Sequence, residues 1–240
     1  QTVWFFPMKR RLKQILKMWL PPILVQLIKP TLPNKPSPFK LNTFEGVYDR
    51  FDQIPGLTHY DSKSSLECLE TEIHNKLDLH EAGSSLPVAH QRAQITNLLP
   101  LLIASVNNRQ IRVLDVGGGG GATYLDILGS IQMSNVEYFV HDLPETMAMG
   151  RRIFSKLNHK KYDIRFVDDW SYMDTLDIVY LGSVLQYLPD YQTTLLDLMK
   201  MKPKWFLLTD YFMGEYPTYA TTQVNMRERR MAFWIFQLAE

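Results

Sequence analysis

The apolar positions of this chain follow two rhythms, and one gives way to the other near residue 110. The first is helical. Leu12, Ile15, Leu16, Trp19 and Leu20 fall on one stripe of a helix, with Lys13, Gln14 and Lys17 opposite, until Pro21-Pro22 ends or kinks it. Four prolines between Pro30 and Pro38 then mark an extended linker. A short aromatic segment, residues 45–51, closes at Pro55-Gly56. Two helices are predicted next. One covers residues 65–79 with Leu66, Leu69, Ile73 and Leu77 inward. The other runs from Pro87, well placed in a first helical turn, to Val106, with Ile95, Leu98, Leu99, Leu102 and Ile103 inward.

From Ile111 short apolar runs alternate with helical segments. Strands are predicted over 111–116, 136–141, 164–167, 176–181 and 205–210, and helices near 123–130, 144–157 and 191–201. This alternation predicts an α/β domain with a mostly parallel sheet and right-handed crossovers. A strand at 220–224 and an apolar stretch at 231–238 follow. The chain thus divides into a basic amphipathic segment with its proline linker (1–40), a helical region covering the site (41–108) and the sheet domain (109–240).

Composition narrows the class. At 240 residues, 45% hydrophobic and 21% charged, the chain suits one α/β domain with an appendage. The net charge of +1 hides an asymmetry: residues 1–40 carry eight Lys/Arg and no acid, leaving 18 basic against 25 acidic side chains elsewhere. That balance, with no basic stripe on the sheet domain, argues against nucleic acid as partner. Cys68 is the only cysteine, so a disulfide framework and a thiolate metal site are excluded, and the six histidines show no paired ligand spacing. No apolar run reaches the ~20 residues that span a bilayer, and no cleavage site follows the apolar stretch at the start; the expected location is cytoplasmic. Residues 8–29 read either as a helix packed on the sheet domain or as a peripheral contact with anionic membrane at its inner face.

The chemistry lies at the carboxyl ends of the predicted strands, where open parallel sheets bind ligands. The first strand ends in Asp115-Val116 and runs into five consecutive glycines, Gly117–Gly121. Such a run makes sense where the backbone turns sharply and lies against a ligand. A dinucleotide fingerprint has no need of the acid at Asp115; a ligand bringing a cation and amine donors does, and S-adenosylmethionine is such a ligand. After the second strand come His141-Asp142-Leu143-Pro144, where Asp142 is placed either to accept both hydroxyls of a ribose or to cap the next helix. After the third come Asp168-Asp169-Trp170, an acid for an adenine amino group beside a flat apolar wall, or a solvated loop pair. Gly182-Ser183 through Gln186-Tyr187 follow the fourth, and Asp210 the fifth.

Val113-Leu114-Asp115-Val116 with the glycine run resembles motif I of class I S-adenosylmethionine-dependent methyltransferases. Together with residues 44–48 (FEGVY) and 181–188 (LGSVLQYL), it is similar to a methyltransferase family often associated with bacterial surface-polysaccharide gene clusters. The resemblance implies a Rossmann-like class I methyltransferase sheet, helices on both faces, behind an α-helical N-terminal extension. It implies S-adenosyl-L-methionine as cofactor, held by Asp115, Gly117, Gly119, Gly121, Asp142, Leu143, Asp168, Asp169 and Ser183. Asp210, Gln186 and Tyr48 are the candidate catalytic residues, with no metal. The acceptor implied is a small-molecule or saccharide hydroxyl, and the protein an O-methyltransferase of polysaccharide biosynthesis, with a homodimer as one candidate assembly. The class I sheet carries seven strands, and only 30 residues follow Asp210; the last elements are therefore abbreviated or the chain is truncated there. Two rivals stay open: a cofactor-binding protein without turnover, and a nicotinamide oxidoreductase using Gly117, Gly119 and Ala122.

Overall fold

In the computed structural model, the residues described are 43–58, 62–83, 98–106, 110–128, 130–131, 135–159, 161–173, 175–226 and 229–238. The basic stretch 8–29, the proline linker and the first half of the second predicted helix lie outside them.

In chain order the elements are β1 (Phe44–Tyr48), α1 (Lys63–Glu81), α2 (Leu98–Ser105), β2 (Ile111–Val116), α3 (Ala122–Leu128), β3 (Val136–His141), α4 (Pro144–Phe154), β4 (Ile164–Phe166), β5 (Ile178–Gly182), α5 (Tyr191–Lys200), β6 (Trp205–Thr209), β7 (Met213–Gly214), β8 (Tyr219–Met226) and β9 (Arg229–Gln237). Five strands form a Rossmann-like sheet in the order β4-β3-β2-β5-β6, every pair parallel. The order reverses direction at β2, so the crevice beside its carboxyl end is the switch point. β2 and β3 occupy the limits their apolar runs predict, because central parallel strands are buried on both faces.

Alternation along β2 assigns each residue to a side. Ile111 and Val113 join a core cluster with Ile73, Leu99, Tyr124 and Met149. Leu114 and Val116 join a second with Leu198, Ala220 and Trp234. On α2 the inward face is Leu99 and Ile103, both buried; Leu98, expected inside, is 52% exposed, since it stands about 100° round the helix from Leu99.

Among the described residues the parallel sheet ends at β6, and β7, β8 and β9 join β1 in a second sheet, in the order β1-β8-β9-β7. β8 and β9 are antiparallel, and β1 pairs antiparallel with β8, Phe44 opposite Gln223 and Tyr48 opposite Ala220. The aromatic segment before Pro55 is thus a strand whose partner lies far along the chain. Thr221 Oγ1 donates to the Gly46 carbonyl at 2.8 Å, and Arg230 pairs with Glu45 at 3.0 Å. Trp234 ties this sheet to the parallel domain: its Nε1 donates to the Leu188 carbonyl at 2.9 Å, and its ring stacks on Phe51 at 4.9 Å. Among the described residues no helix is long and apolar enough to cross a membrane.

Candidate functional site

The glycine run leaves β2 as a tight turn. Gly117, Gly119, Gly120 and Gly121 have φ of 76°, 59°, 62° and 99°, left-handed values that glycine adopts without cost to a β-carbon. The turn is packed as well as bent. A Cβ at Gly117 would run into Val184, one at Gly118 into the Asp115 carboxylate, one at Gly120 into Met149, and one at Gly121 into Phe154. Gly119 differs: its nearest neighbours would be Ala122 and Leu69, both at 3.6 Å. Four of the five glycines therefore let the turn approach its own protein more closely than a side chain would allow, and at Gly119 a Cβ would make only ordinary contacts. Leu69 and Ile73 bring α1 against this turn.

Two carboxylates flank it. Asp142 Oδ2 accepts the Gly119 amide at 2.8 Å and Oδ1 accepts the Leu143 amide at 2.7 Å. Burial pushes its acid strength down, raising the pKa, while the amides of Leu143 and Gly119 work the other way. The N-cap of α4 is Leu143 and carries no side-chain cap bond, so Asp142 braces the glycine turn and does not cap the helix. Leu143 itself is 39% exposed beside it. Asp115 lies beneath the turn, 1% exposed. Its Oδ2 accepts the Tyr138 hydroxyl at 2.8 Å. Burial pushes its pKa up to about 7; the hydroxyls of Tyr138 and Thr123 oppose the shift, and the nearby Asp142 charge adds to it.

Tyr138, Tyr180 and Thr209 are polar residues that pattern reading missed. Asp115 pairs in register with Tyr180 of β5, whose hydroxyl lies 3.2 Å from Thr209 Oγ1 of β6. β3, β2, β5 and β6 thus each contribute a buried polar group below the carboxyl ends. Gly182 leaves room for the Tyr180 hydroxyl, which a Cβ there would strike. The one signal in the sequence was a tyrosine inside each of two largely apolar strand runs, VEYFVH and IVYLG.

Ser183, Gln186 and Asp210 form a second group at the ends of β5 and β6. The Ser183 amide donates to the Thr209 carbonyl at 2.9 Å. Gln186 Nε2 donates to the Asp210 carbonyl at 3.1 Å and to Ser183 Oγ at 3.4 Å. Val184 against Gly117 links this group to the turn. Asp168 and Asp169 stand apart on the exposed loop after β4. Asp168 pairs with Arg151 at 2.8 Å. Asp169 accepts the amide and the hydroxyl of Ser171, each at 2.8 Å, and these bonds lower its pKa. Trp170 meets His141 edge to face at 4.3 Å, which fixes this loop beside Asp142. Tyr48 is half-buried in β1, its ring folded over Gly46. A separate cleft of about 1100 Å³ is lined by Asp169 and Trp170 together with Arg112, Asp177 and Lys204 from the amino ends of β2, β5 and β6. Within it Lys204 pairs with Asp177 at 3.1 Å and Lys200 with Asp197 at 2.6 Å.

No protein-family model matches the chain, and no curated protein matches it. Solved structures similar to it include the YcgJ protein from Bacillus subtilis, 22% identical over 49% of this chain and 52% of that one, with a TM-score of 0.37. Another is the CurJ carbon methyltransferase, 17% identical over 59% of this chain and 46% of that one, with a TM-score of 0.38. A third is the N-terminal domain of EvdMO1 in the presence of SAH and D-fucose, 13% identical over 63% of this chain and 70% of that one, with a TM-score of 0.45. The chain spans about half the length of the first two.

Proposed function

We propose that the chain binds S-adenosylmethionine across the glycine turn and methylates a hydroxyl of a small molecule, a sugar in the assembly of surface polysaccharide. The observation that carries this is the turn itself: left-handed glycines at the switch point, braced by Asp142 on the Gly119 amide and underlain by Asp115. The residues present suit such a ligand. Gly119 is the one glycine of the run with φ above zero whose Cβ position clashes with nothing, so a ligand, and not internal packing, accounts for glycine there beyond its left-handed φ. The Asp142 carboxylate, which accepts the Gly119 and Leu143 amides, keeps acceptor capacity toward a ribose hydroxyl. Leu143 offers an apolar edge beside them, and Asp168 or Asp169 with Trp170 suits an adenine.

When bound, the cofactor supplies an electrophilic methyl group on a sulfonium. The protein's part is to hold an acceptor oxygen close and in line, which supplies much of the rate in such displacements. In this reading Ser183 faces the cofactor, the Asp210 carboxylate takes the hydroxyl proton, Gln186 orients and Tyr48 closes the site from β1. Titration calorimetry tests cofactor choice. S-adenosylhomocysteine should bind one to one and NAD⁺ should not. Binding of NAD⁺ alone would replace the proposal with a nicotinamide enzyme, and binding of neither would leave only the fold.

A further inference from the structure

Two residues other than glycine end adjacent strands in the left-handed region: Ser183 after β5 and Asp210 after β6, each at φ 59°. A β-carbon disfavours that conformation, and such residues persist only where their surroundings hold them. Here one side chain does so. Gln186 is 2% exposed, and its amide nitrogen bonds both the Asp210 carbonyl and Ser183 Oγ. Its orientation follows from the partner: the Asp210 carbonyl only accepts, so the amide nitrogen must face it. Gln186 Oε1 is then buried with no hydrogen-bond partner among the described residues, so the carboxamide is held through its nitrogen. Asp210 stays exposed at the open end of β6. Two residues on, Phe212 is 50% exposed and meets Phe44 and Phe233 edge to face, at 5.6 and 5.5 Å. The carboxylate therefore stands near an aromatic surface built by the second sheet.

We infer that Gln186 is a positioning residue, whose carboxamide holds Ser183 and Asp210 in their left-handed turns so that the Asp210 carboxylate is fixed to accept a hydrogen bond from the acceptor's hydroxyl. This rests on the methyl-transfer reading. Gln186 acts through Asp210 and has no contact of its own with the reacting atoms.

The test compares Gln186→Met, which keeps length and burial without the donor, Gln186→Glu, which sets acceptor against acceptor, and Asp210→Gly, which removes strain and carboxylate together. Each is measured for S-adenosylhomocysteine affinity by calorimetry, for melting temperature, and for radiolabelled methyl transfer from S-adenosylmethionine to methyl hexopyranosides assayed singly. Both Gln186 variants should still bind S-adenosylhomocysteine, losing less affinity through Ser183 than they lose in kcat, which falls at least tenfold while KM for the glycoside rises. Asp210→Gly should melt about 2–4 °C higher and lose transfer. The inference is overturned by transfer that survives in the Gln186 variants, or by cofactor affinity, melting and transfer that fall in parallel. It is also overturned if Asp210→Gly fails to raise the melting temperature, or if the parent binds S-adenosylhomocysteine yet methylates no glycoside. Absence of S-adenosylhomocysteine binding by the parent would instead remove the methyl-transfer reading itself.

Discussion

Replacing Asp115 by Asn should stabilise the protein above neutrality and flatten its response to pH. Asp115 is 1% exposed and meets only hydroxyl donors and a second carboxylate, so burial raises its pKa from 3.8 to about 7. In the unfolded chain the acid ionises near pH 4; in the folded chain it keeps its proton to about pH 7. Between those values the native state binds more protons, so stability falls as pH rises. The contribution is fully present below the unfolded pKa and is lost as pH passes through the folded one. A shift of about 3 units corresponds to roughly 4 kcal/mol at 1.36 kcal/mol per unit. Asn has the same shape, keeps an oxygen for the Tyr138 hydroxyl, and has no charge to desolvate. The two proteins should therefore melt alike near pH 4 and diverge by roughly 8–16 °C at pH 8, taking ~2–4 °C per kcal/mol. Circular-dichroism melting at four pH values between 4 and 8 measures the gap. An Asn variant less stable than the parent by a constant amount at every pH would refute the reasoning, because it would mean that the buried group gains nothing from being neutral.

Asp142→Ala removes the acceptor of the Gly119 and Leu143 amides, bonds worth about 1.5–3 kcal/mol each when charged. S-adenosylhomocysteine affinity should fall at least tenfold and the melting temperature should drop; loss of stability with normal affinity would confine Asp142 to bracing the turn. Gly119→Val should abolish binding while circular dichroism stays near that of the parent, since a branched side chain at φ 59° would distort the turn locally and its Cβ meets no neighbour closer than 3.6 Å. Unchanged binding would move the ligand off the turn. For the basic segment, vesicle sedimentation should show attachment that needs anionic lipid, weakens with salt and disappears without residues 1–40, at roughly 1 kcal/mol per basic side chain near the surface. A full chain that ignores anionic vesicles at low salt would contradict the membrane contact.

The parallel sheet was legible because its information is local. β2 and β3 are apolar runs bounded by polar residues, and the glycine run after Asp115 has few structural uses. The second sheet was not, because β1 gains its identity from β8, some 175 residues away, as in the bond from Thr221 to the Gly46 carbonyl. No period within residues 44–48 encodes that partner. The apolar stretch at 231–238 revealed its burial but not its strand partners. Among the polar residues, spacing marked Asp142 as important, yet its grip on Gly119 needs the distance between two loops. Tyr138 and Tyr180 counted as strand formers, and only the register that sets Tyr180 beside Asp115 shows their hydroxyls as part of one buried polar row.

The most direct test of cofactor binding is a crystal structure of the protein grown with S-adenosylhomocysteine. The ligand should lie along the glycine turn beside Gly119, with its ribose hydroxyls about 3 Å from the Asp142 oxygens and its adenine on the Trp170 side. A ligand seated instead in the cleft between Arg112, Asp177 and Lys204, or a glycine turn left empty at saturating ligand, would contradict the account.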